Sequence, residues 1–311
     1  MSDVEARVAR LIRSRFSCRS YADASIDAER QGKLRSVMEE ITAGPLGAPV
    51  RFTLLAPGTA DRDALRGLGT YGFIRGSAGF VAGAAGAGPR DLEDYGYSLE
   101  RIVLAATELE LGTCWLGGTF ARSSFSRRIA LQRAEKMPAV AAVGIIADPR
   151  QARNTPLRRR IGSDNRLPWT QLFTEGGFTR PLTPDDAGPW AEPLEMVRLA
   201  PSASNRQPWR IVRDGAAWHF YLRRTRGYRR GIVGRLLGMN DIQRVDMGIA
   251  MCHFALTARE TGLEGTWSVR DPGFAAPDQL TEYVASWIAE KARGRGLPAR
   301  GAVLNSHEQQ T

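Results

Sequence analysis

The chain has 311 residues, enough for a large buried core and for two units of ordinary domain size. Its formal net charge is +10, carried almost wholly by arginine, and its apolar stretches are too short to cross a bilayer. Three widely separated cysteines and three unpaired histidines suggest neither a disulfide framework nor a histidine metal site. We therefore expect a cytoplasmic, metal-free protein with buried cysteines.

Hydrophobic periodicity predicts helices and strands in alternation along the first half. The predicted elements are a helix at 4–12, a helix from Ser25 or Asp27 to residues 44–45, strands at 51–56 and 71–82, a flexible loop at 83–89, a long helix at 91–111 ended by Gly112, a strand and turn at 113–118, a helix at 125–131, a buried strand at 139–147 and an arginine-rich loop at 149–168. The glycines at 83–88 lack the order of a dinucleotide-binding fingerprint.

The second half has a shorter set of strong signals. Residues 209–213 and 218–223 predict a hairpin around Asp214 and Gly215, and residues 246–261 predict a second central helix. The tail from Ala292 is expected to be disordered.

The two central helices share a pattern of residues. Asp94, Gly96 and Trp115 recur 152 positions later as Asp246, Gly248 and Trp267. Such a spacing indicates an internal duplication. We therefore expect an α+β fold made of two related halves, residues 1–170 and 171–291, followed by the tail at 292–311.

The loop at 200–210 is the most distinctive stretch of the chain. Pro201 and Pro208 disfavour helix and central strand, while Ser202, Ser204 and Asn205 supply hydroxyl and amide groups that donate and accept hydrogen bonds. The loop suits a flat heterocycle with polar edges. The alternative is a capped helix start with Ser202 or Ser204 as the N-cap.

A second polar pattern follows the first helix. Arg15, Ser17 and Arg19 present two guanidinium groups and a hydroxyl, which suit the oxygens of a dianionic phosphate. The alternative is an exposed basic helix end.

Together these motifs resemble the FMN-dependent nitroreductase family. The loop matches the family pattern Pro-Ser-x-x-Asn-x-Gln-Pro-Trp, and Arg15, Ser17 and Arg19 match its phosphate motif Arg-x-Ser-x-Arg. The resemblance implies a nitroreductase-like fold, an FMN held between two units, and NADH or NADPH as the electron donor. It also implies no catalytic side chain, because N5 of the flavin carries the hydride.

Each half keeps a motif that the other half lacks. Residues 44–49 stand where the first half should have its serine and asparagine loop, and residues 173–190 contain no phosphate motif. This complementarity resembles the single-chain branch called putative TM nitroreductases, in which TM does not mean transmembrane. It predicts one complete flavin site and one decayed site in a monomer that acts as an internal pseudo-dimer.

The resemblance implies two further parts of the site. Leu116, Gly117 and Gly118 occupy the segment whose backbone faces the flavin, although a plain turn is the rival interpretation. Arg166 matches a phosphate-binding arginine, but Asp164 stands where the family has a lysine. Phosphate binding is then weaker unless the arginines at 158–160 substitute for that lysine.

The expected function is an FMN-dependent NAD(P)H oxidoreductase acting on a nitroaromatic, quinone or similar small-molecule acceptor, without nucleic-acid or membrane partners. A second hypothesis is a protein that binds or sequesters flavin without turnover. A third is an arginine-rich nucleic-acid binder, suggested by the arginine runs at 158–160 and 223–230. A basic loop at 223–235 could alternatively steer an anionic substrate or simply be solvated.

Overall fold

The structure is a computed structural model that describes residues 7–57, 65–76, 79–118, 120–153, 155–227 and 240–290. Two sequence expectations fall outside these residues, namely most of the basic loop, from residue 228 to 235, and the tail from Ala292. Among the described helices, none combines the length and apolarity that a membrane crossing requires. Cys18, Cys114 and Cys252 are buried and free, as expected.

The helices fall into two long central ones and several shorter ones. In chain order they are α1 (Arg7–Ser14), α2 (Ala28–Glu39), α3 (Asp91–Glu108), α4 (Arg122–Arg128), α5 (Pro149–Arg153), α6 (Pro156–Ile161), α7 (Trp169–Leu172), α8 (Pro184–Ala187), α9 (Ala191–Arg198) and α10 (Ile242–Glu260). Short 3₁₀ turns occur at Gly188–Trp190 and Ala203–Asn205. The predicted boundary between the halves falls within α7, and that division stays a prediction.

The strands described form one four-stranded and one six-stranded sheet. They are β1 (Val50–Leu55), β2 (Gly79–Ala85), β3 (Leu111–Leu116), β4 (Val140–Ile145), β5 (Phe173–Glu175), β6 (Arg180–Pro181), β7 (Trp209–Asp214), β8 (Ala217–Arg223), β9 (Gly265–Ser268) and β10 (Thr281–Ala289). The sheet orders are β1-β2-β4-β3 and β6-β5-β7-β8-β10-β9. The expected mixture of helices and sheets is confirmed.

The second sheet contains the strand order of the first. The run β7-β8-β10-β9 repeats β1-β2-β4-β3, and every neighbouring pair within both runs is antiparallel. In each run a long helix, α3 or α10, joins the second strand to the third in chain order. The parallel pair β5–β7 and the short β6 extend only the second sheet.

Several element predictions were wrong for identifiable reasons. The predicted loop at 149–168 contains α5 and α6, because Thr155 caps α6, Pro156 opens it and Gly162 closes it at φ 62°. The predicted strand at 71–82 and loop at 83–89 misplace β2, which begins at Gly79 and continues through Gly83. Gly83 faces the Phe52 ring so closely that a Cβ would overlap it.

The end of the first central helix was also misplaced. The helix α3 stops at Glu108, and Glu110 reverses the chain with φ 60°. Gly112, predicted to end the helix, lies inside β3 instead. A Cβ there would come within 3.1 Å of the Cys18 sulfur, so a close approach explains this glycine.

The two central helices cross at a pair of glycines. A Cβ on Gly96 of α3 would overlap the carbonyl oxygen of Val245 on α10. Conversely, a Cβ on Gly248 of α10 would overlap the carbonyl oxygen of Glu93 on α3. Only glycine permits this separation, because the backbone of each helix fills the space where the other would carry a side chain.

Hydrophobic cores on both sides meet around this crossing. One cluster packs the second sheet against α9 and α10, and two others pack the first sheet against its helices. Trp115 packs against a cluster on each side, while Leu46 from the first half packs against the second-half cluster. The halves therefore share apolar contacts as well as the helix crossing.

We predict that Gly248→Ala destabilises the protein by about 3 kcal/mol or more, because the helices must separate to admit the methyl group. Gly32→Ala is the matched control, since Gly32 also lies within a helix and nothing approaches its Cβ position within 4 Å. It should stabilise the fold by up to about 1 kcal/mol through helix propensity. Urea unfolding measures both changes, and equal effects would contradict the close crossing.

Candidate functional site

The loop between α9 and β7 has an unusual backbone held by its own side chains. Ser204, Asn205 and Gln207 have φ values of 50°, 53° and 49°, a left-handed conformation that is uncommon outside glycine. The Ser202 hydroxyl accepts the Gln207 N–H at 2.9 Å, and the Asn205 amide donates to the Gly162 carbonyl at 2.6 Å. Strain of this kind, fixed by specific bonds, is common at binding sites.

A buried carboxyl group of α10 also binds the backbone of this loop. Both oxygens of Asp246 face the Ala203 N–H, at 3.0 and 3.2 Å. Burial raises the pKa of Asp246 well above its usual range, against the opposing effect of the Ala203 bond. The uncharged form is therefore favoured by the apolar surroundings.

The first half contains a matching arrangement. Asp94 of α3 accepts the N–H groups of Leu46 and Ala48, both at 2.7 Å. Burial raises the pKa of Asp94 to about 6, although these two bonds act in the opposite direction. Each central helix thus fixes the loop that precedes the first strand of its own four-strand run, β1 or β7.

An arginine-rich cavity of about 200 Å³ lies between this loop and the end of α1. Its lining comes from both halves of the chain: Ile12, Arg13, Arg15, Phe16, Ser17, Arg19, Arg153, Arg158, Ser163, Asp164, Arg166, Leu199, Pro201, Ser202, Ser204 and Asn205. We call it the arginine cavity.

Three of its arginines have buried nitrogens without a hydrogen-bond partner. Within the part of the chain that the structure describes, these atoms are Nε of Arg15, Nε and Nη1 of Arg19, and Nε of Arg166. A buried cationic donor without an acceptor is costly. Such donors around one cavity could hold an anion, because the oxygens of a phosphate, for example, would accept hydrogen bonds from them.

Burial also lowers the pKa of two of these arginines. For Arg15 the main cause is loss of solvent, partly offset by the Glu100 carboxylate, whose Oε1 lies 3.8 Å from Nε. For Arg166 burial lowers the pKa to about 10, with a smaller contribution from Arg15. Both guanidinium groups remain cationic at neutral pH and would be stabilised by an anion.

A second cavity of about 120 Å³ adjoins the first. It shares part of its lining with the arginine cavity, namely Ser17, Arg19, Pro201, Ser202 and Ser204. Its other walls are Trp115, Gly117, Ala139, Ala203, Ile242, Val245, Asp246 and Ile249. Its walls are largely apolar or uncharged, as suits the flat heterocycle expected at this loop, and we call it the ring cavity.

The structure brings most of the predicted site residues to these two cavities. Those that line the arginine cavity are Arg15, Ser17, Arg19, Arg166, Pro201, Ser202, Ser204 and Asn205. Gly117 lines the ring cavity, where a Cβ would come within 3.2 Å of Ile242. Leu116 packs in the first-half core and Gly118 is exposed. Neither of these two residues lines either cavity.

Arg166 is largely engaged by the protein itself. Its Nη1 donates to the carbonyl oxygens of Ser163 at 2.7 Å and Asn165 at 2.9 Å, and its Nη2 donates to Leu199 at 3.1 Å. It therefore ties the turn after α6 to the end of α9. Its Nε has no hydrogen-bond partner among the described residues and is left for a ligand.

The proposed substitutes for the missing lysine separate into two groups. Arg158 lines the cavity and its side chain is 5% exposed, whereas Arg159 and Arg160 face solvent. Arg153 also lines the cavity and stacks 4.2 Å from the centre of the Phe16 ring. Sequence reasoning missed Arg153, because it interpreted α5 and α6 as a loop.

A third cavity of about 620 Å³ also meets Arg19, and sequence reasoning missed its walls. Two aromatic side chains line it and face solvent, Tyr71 at 71% exposure and Phe73 at 40%. Arg75 anchors this segment, since its N–H donates to the Arg19 carbonyl and its own carbonyl accepts the Tyr21 N–H, both at 3.0 Å. Exposed aromatic residues beside Gly72 were the available signal, but they were assigned to a strand.

We predict that Arg19→Met lowers the affinity for inorganic phosphate at least about tenfold, because charge-assisted hydrogen bonds are lost. Without phosphate the variant should melt at the same or a higher temperature, since a buried unpartnered charge is removed. Arg226→Met is the control, because Arg226 is exposed and lies outside the cavity. Calorimetric titration that shows equal losses for both variants would contradict this anion site.

Comparison with family models matches residues 7–258 to the family described as "Putative TM nitroreductase". Among solved structures, a putative nitroreductase from Thermotoga maritima MSB8 is 20% identical, with a TM-score of 0.55. The alignment covers 90% of this chain and 93% of the Thermotoga chain. At this identity the likeness shows a shared fold.

Other solved structures match about half of the chain. A nitroreductase family protein from Clostridium difficile 630 is 17% identical, with a TM-score of 0.39, and covers 52% of this chain and 94% of its own. A putative nitroreductase from Desulfovibrio desulfuricans, solved in complex with FMN, is 24% identical, with a TM-score of 0.37. The alignment covers 49% of this chain and 94% of the Desulfovibrio chain. No curated protein matches. Because the family model spans most of its length, the chain belongs to the putative TM nitroreductase family.

Proposed function

We propose that the protein is an FMN-dependent NAD(P)H oxidoreductase of nitroreductase type, which reduces a nitroaromatic, quinone or similar conjugated acceptor by two electrons. The observation that carries this proposal is the arginine cavity, with its unpartnered buried donors, joined to the ring cavity at Arg19. FMN has the matching chemistry, a phosphate at one end and a flat ring system at the other. Membership of a nitroreductase family supports the same reaction class.

The arginine cavity would hold the phosphate end. Arg15 and Arg19 supply unpartnered donors, and the hydroxyl of Ser17 lies on the same wall. The loop residues Ser202 and Asn205 close the opposite wall from the second half. The cofactor would therefore be bound by both halves of one chain.

The ring cavity would hold the flat end. Trp115 and Gly117 form one wall, and Ile242, Val245 and Ile249 of α10 form an apolar wall that excludes water. Asp246 fixes the loop that lines this cavity, since its carboxyl group accepts the Ala203 N–H. FMN, when bound, supplies the two-electron transfer between donor and acceptor. The side chains position it and need no acid or base of their own.

The third cavity is the proposed entry for the electron donor and the acceptor. It touches Arg19, which also lines the other two cavities, and it exposes Tyr71 and Phe73 to solvent. Flat conjugated molecules stack on aromatic side chains, so this surface favours them over bulky aliphatic substrates.

We further propose that the two halves arose by duplication and act as an internal pseudo-dimer. The repeated strand order, the reciprocal contacts of Gly96 and Gly248, and the equivalent roles of Asp94 and Asp246 support this proposal. Because one chain would contain both partners, we expect a monomer. A cytoplasmic location remains part of the proposal.

The charge pattern supports a single flavin site. Among the described residues, the buried arginine nitrogens without a hydrogen-bond partner all belong to Arg15, Arg19 and Arg166. Near the corresponding first-half loop the cations are already paired, since Arg244 bonds Glu93 at 2.5 Å and Lys136 bonds Asp91 at 2.6 Å. A second phosphate would have to break these ion pairs.

The test is anaerobic addition of NADH or NADPH to the protein loaded with FMN. We expect the visible flavin absorbance to bleach, and a quinone or nitroaromatic to restore it over repeated cycles. Bound flavin that neither nicotinamide reduces would favour the sequestering protein. No flavin binding, together with salt-sensitive binding to nucleic acid, would favour the arginine-rich nucleic-acid binder.

Matched variants connect this activity to the site. Asn205→Ala should weaken FMN retention, because the amide that fixes the loop to Gly162 and Asn165 is lost. Arg206→Ala is the control, since Arg206 is the next residue, is exposed and lines neither cavity. Equal retention in the two variants would contradict the assigned loop.

A further inference from the structure

The arginine cavity contains one carboxylate among the described residues that line it, that of Asp164. The other charged residues of its lining are all cationic: Arg13, Arg15, Arg19, Arg153, Arg158 and Arg166. A carboxylate in this place lowers the potential that would attract an anionic ligand.

Asp164 occupies one donor of Arg158. The Nη2 of Arg158 donates to Oδ1 of Asp164 at 2.6 Å. Within the described part of the chain, the Asp164 side chain makes no other hydrogen bond. The ion pair therefore takes a phosphate-binding donor of Arg158 out of use.

Arg158 does not need Asp164 to hold its position. Its Nε donates to the Arg153 carbonyl at 3.0 Å, and its guanidinium lies 5.6 Å from the centre of the Phe16 ring. The side chain is 5% exposed, so its packing restricts it further. If Asp164 moved away, the Nη2 donor would stay in place at the cavity.

Asp164 itself is free to move away. Its side chain is 80% exposed and lies on the turn after Gly162. Solvent takes up the charge of the exposed Asp164 carboxylate when it turns away, but Arg158 stays buried and needs another acceptor. A phosphate that takes the place of Asp164 would supply that acceptor.

We propose that Asp164 sets the affinity of the arginine cavity for its anionic ligand. Asp164 competes with the ligand for Arg158, and the phosphate group of the ligand must displace Asp164 before it can bind Arg158. The identity of that ligand as FMN rests on the proposed function. The negative charge of Asp164 also repels a dianionic phosphate directly. The cofactor is then bound reversibly and can dissociate into solvent, instead of being bound permanently.

The test compares Asp164→Asn with wild type in FMN binding, followed by quenching of flavin fluorescence. Asparagine keeps the size and the Oδ1 acceptor but removes the charge, so FMN should bind roughly five- to tenfold more tightly. Riboflavin, which has no phosphate, should bind with unchanged affinity. Asp164→Lys should tighten FMN binding further.

Asp185→Asn is the matched control, since Asp185 is exposed, lies in α8 outside the cavity, and its replacement changes the net charge equally. It should leave FMN affinity at the wild-type value. Thermal melting of each variant checks that it is folded. Equal gains in Asp185→Asn and Asp164→Asn would reduce the effect to net charge and overturn the proposal.

Inorganic phosphate separates this proposal from the proposed function. If FMN binds wild type but Asp164→Asn binds FMN and phosphate no more tightly, Asp164 is not a competitor and the oxidoreductase proposal stands. If FMN binds neither protein while Asp164→Asn binds phosphate more tightly, the competitor role stands and the FMN assignment fails. Absence of binding by either probe to any variant would overturn both.

Discussion

The close crossing of α3 and α10 is the constraint on which the rest of the structure depends. Gly96 and Gly248 allow backbone to meet backbone, so the two helices act as one support. Asp94 and Asp246, two residues before these glycines, reach out to fix one loop each. The ring cavity then forms where Trp115 of β3 and Gly117, the residue that follows β3, face the loop held by Asp246.

Buried charge is arranged around this support. Glu100 of α3 accepts the Trp115 indole N–H at 2.7 Å, bonds His253 of α10 at 2.9 Å and lies 3.8 Å from Arg15. One carboxylate thus connects the helix crossing, a wall of the ring cavity and a donor of the arginine cavity. Among the described residues, the buried Nε atoms of Arg19 and Arg166 and Nη1 of Arg19 have no acceptor, which makes this cavity complementary to an anion.

Sequence patterns predicted the parts of this structure whose signals are long or repeated. The two central helices and the hairpin at Gly215 followed from periodicity and turn chemistry. The Asp, Gly and Trp repeat predicted that the two helices are related, but not that they cross at its glycines. The helices α5 and α6 were missed because their arginine-rich sequence was interpreted as a loop. The capping signals of α6, Thr155, Pro156 and Gly162, are short. The pairing of Arg158 with Asp164 and the reach of Asp246 to Ala203 were not predictable, because they depend on three-dimensional packing.

The central claim is that one chain forms one complete flavin site from two related halves. The most direct measurement is the ratio of FMN to protein chains in the loaded protein, with the molar mass of the same sample determined by light scattering. The account predicts one FMN per chain in particles of about the mass of a single chain, 34.1 kDa. Two FMN per chain, or one FMN shared by two chains, would contradict it.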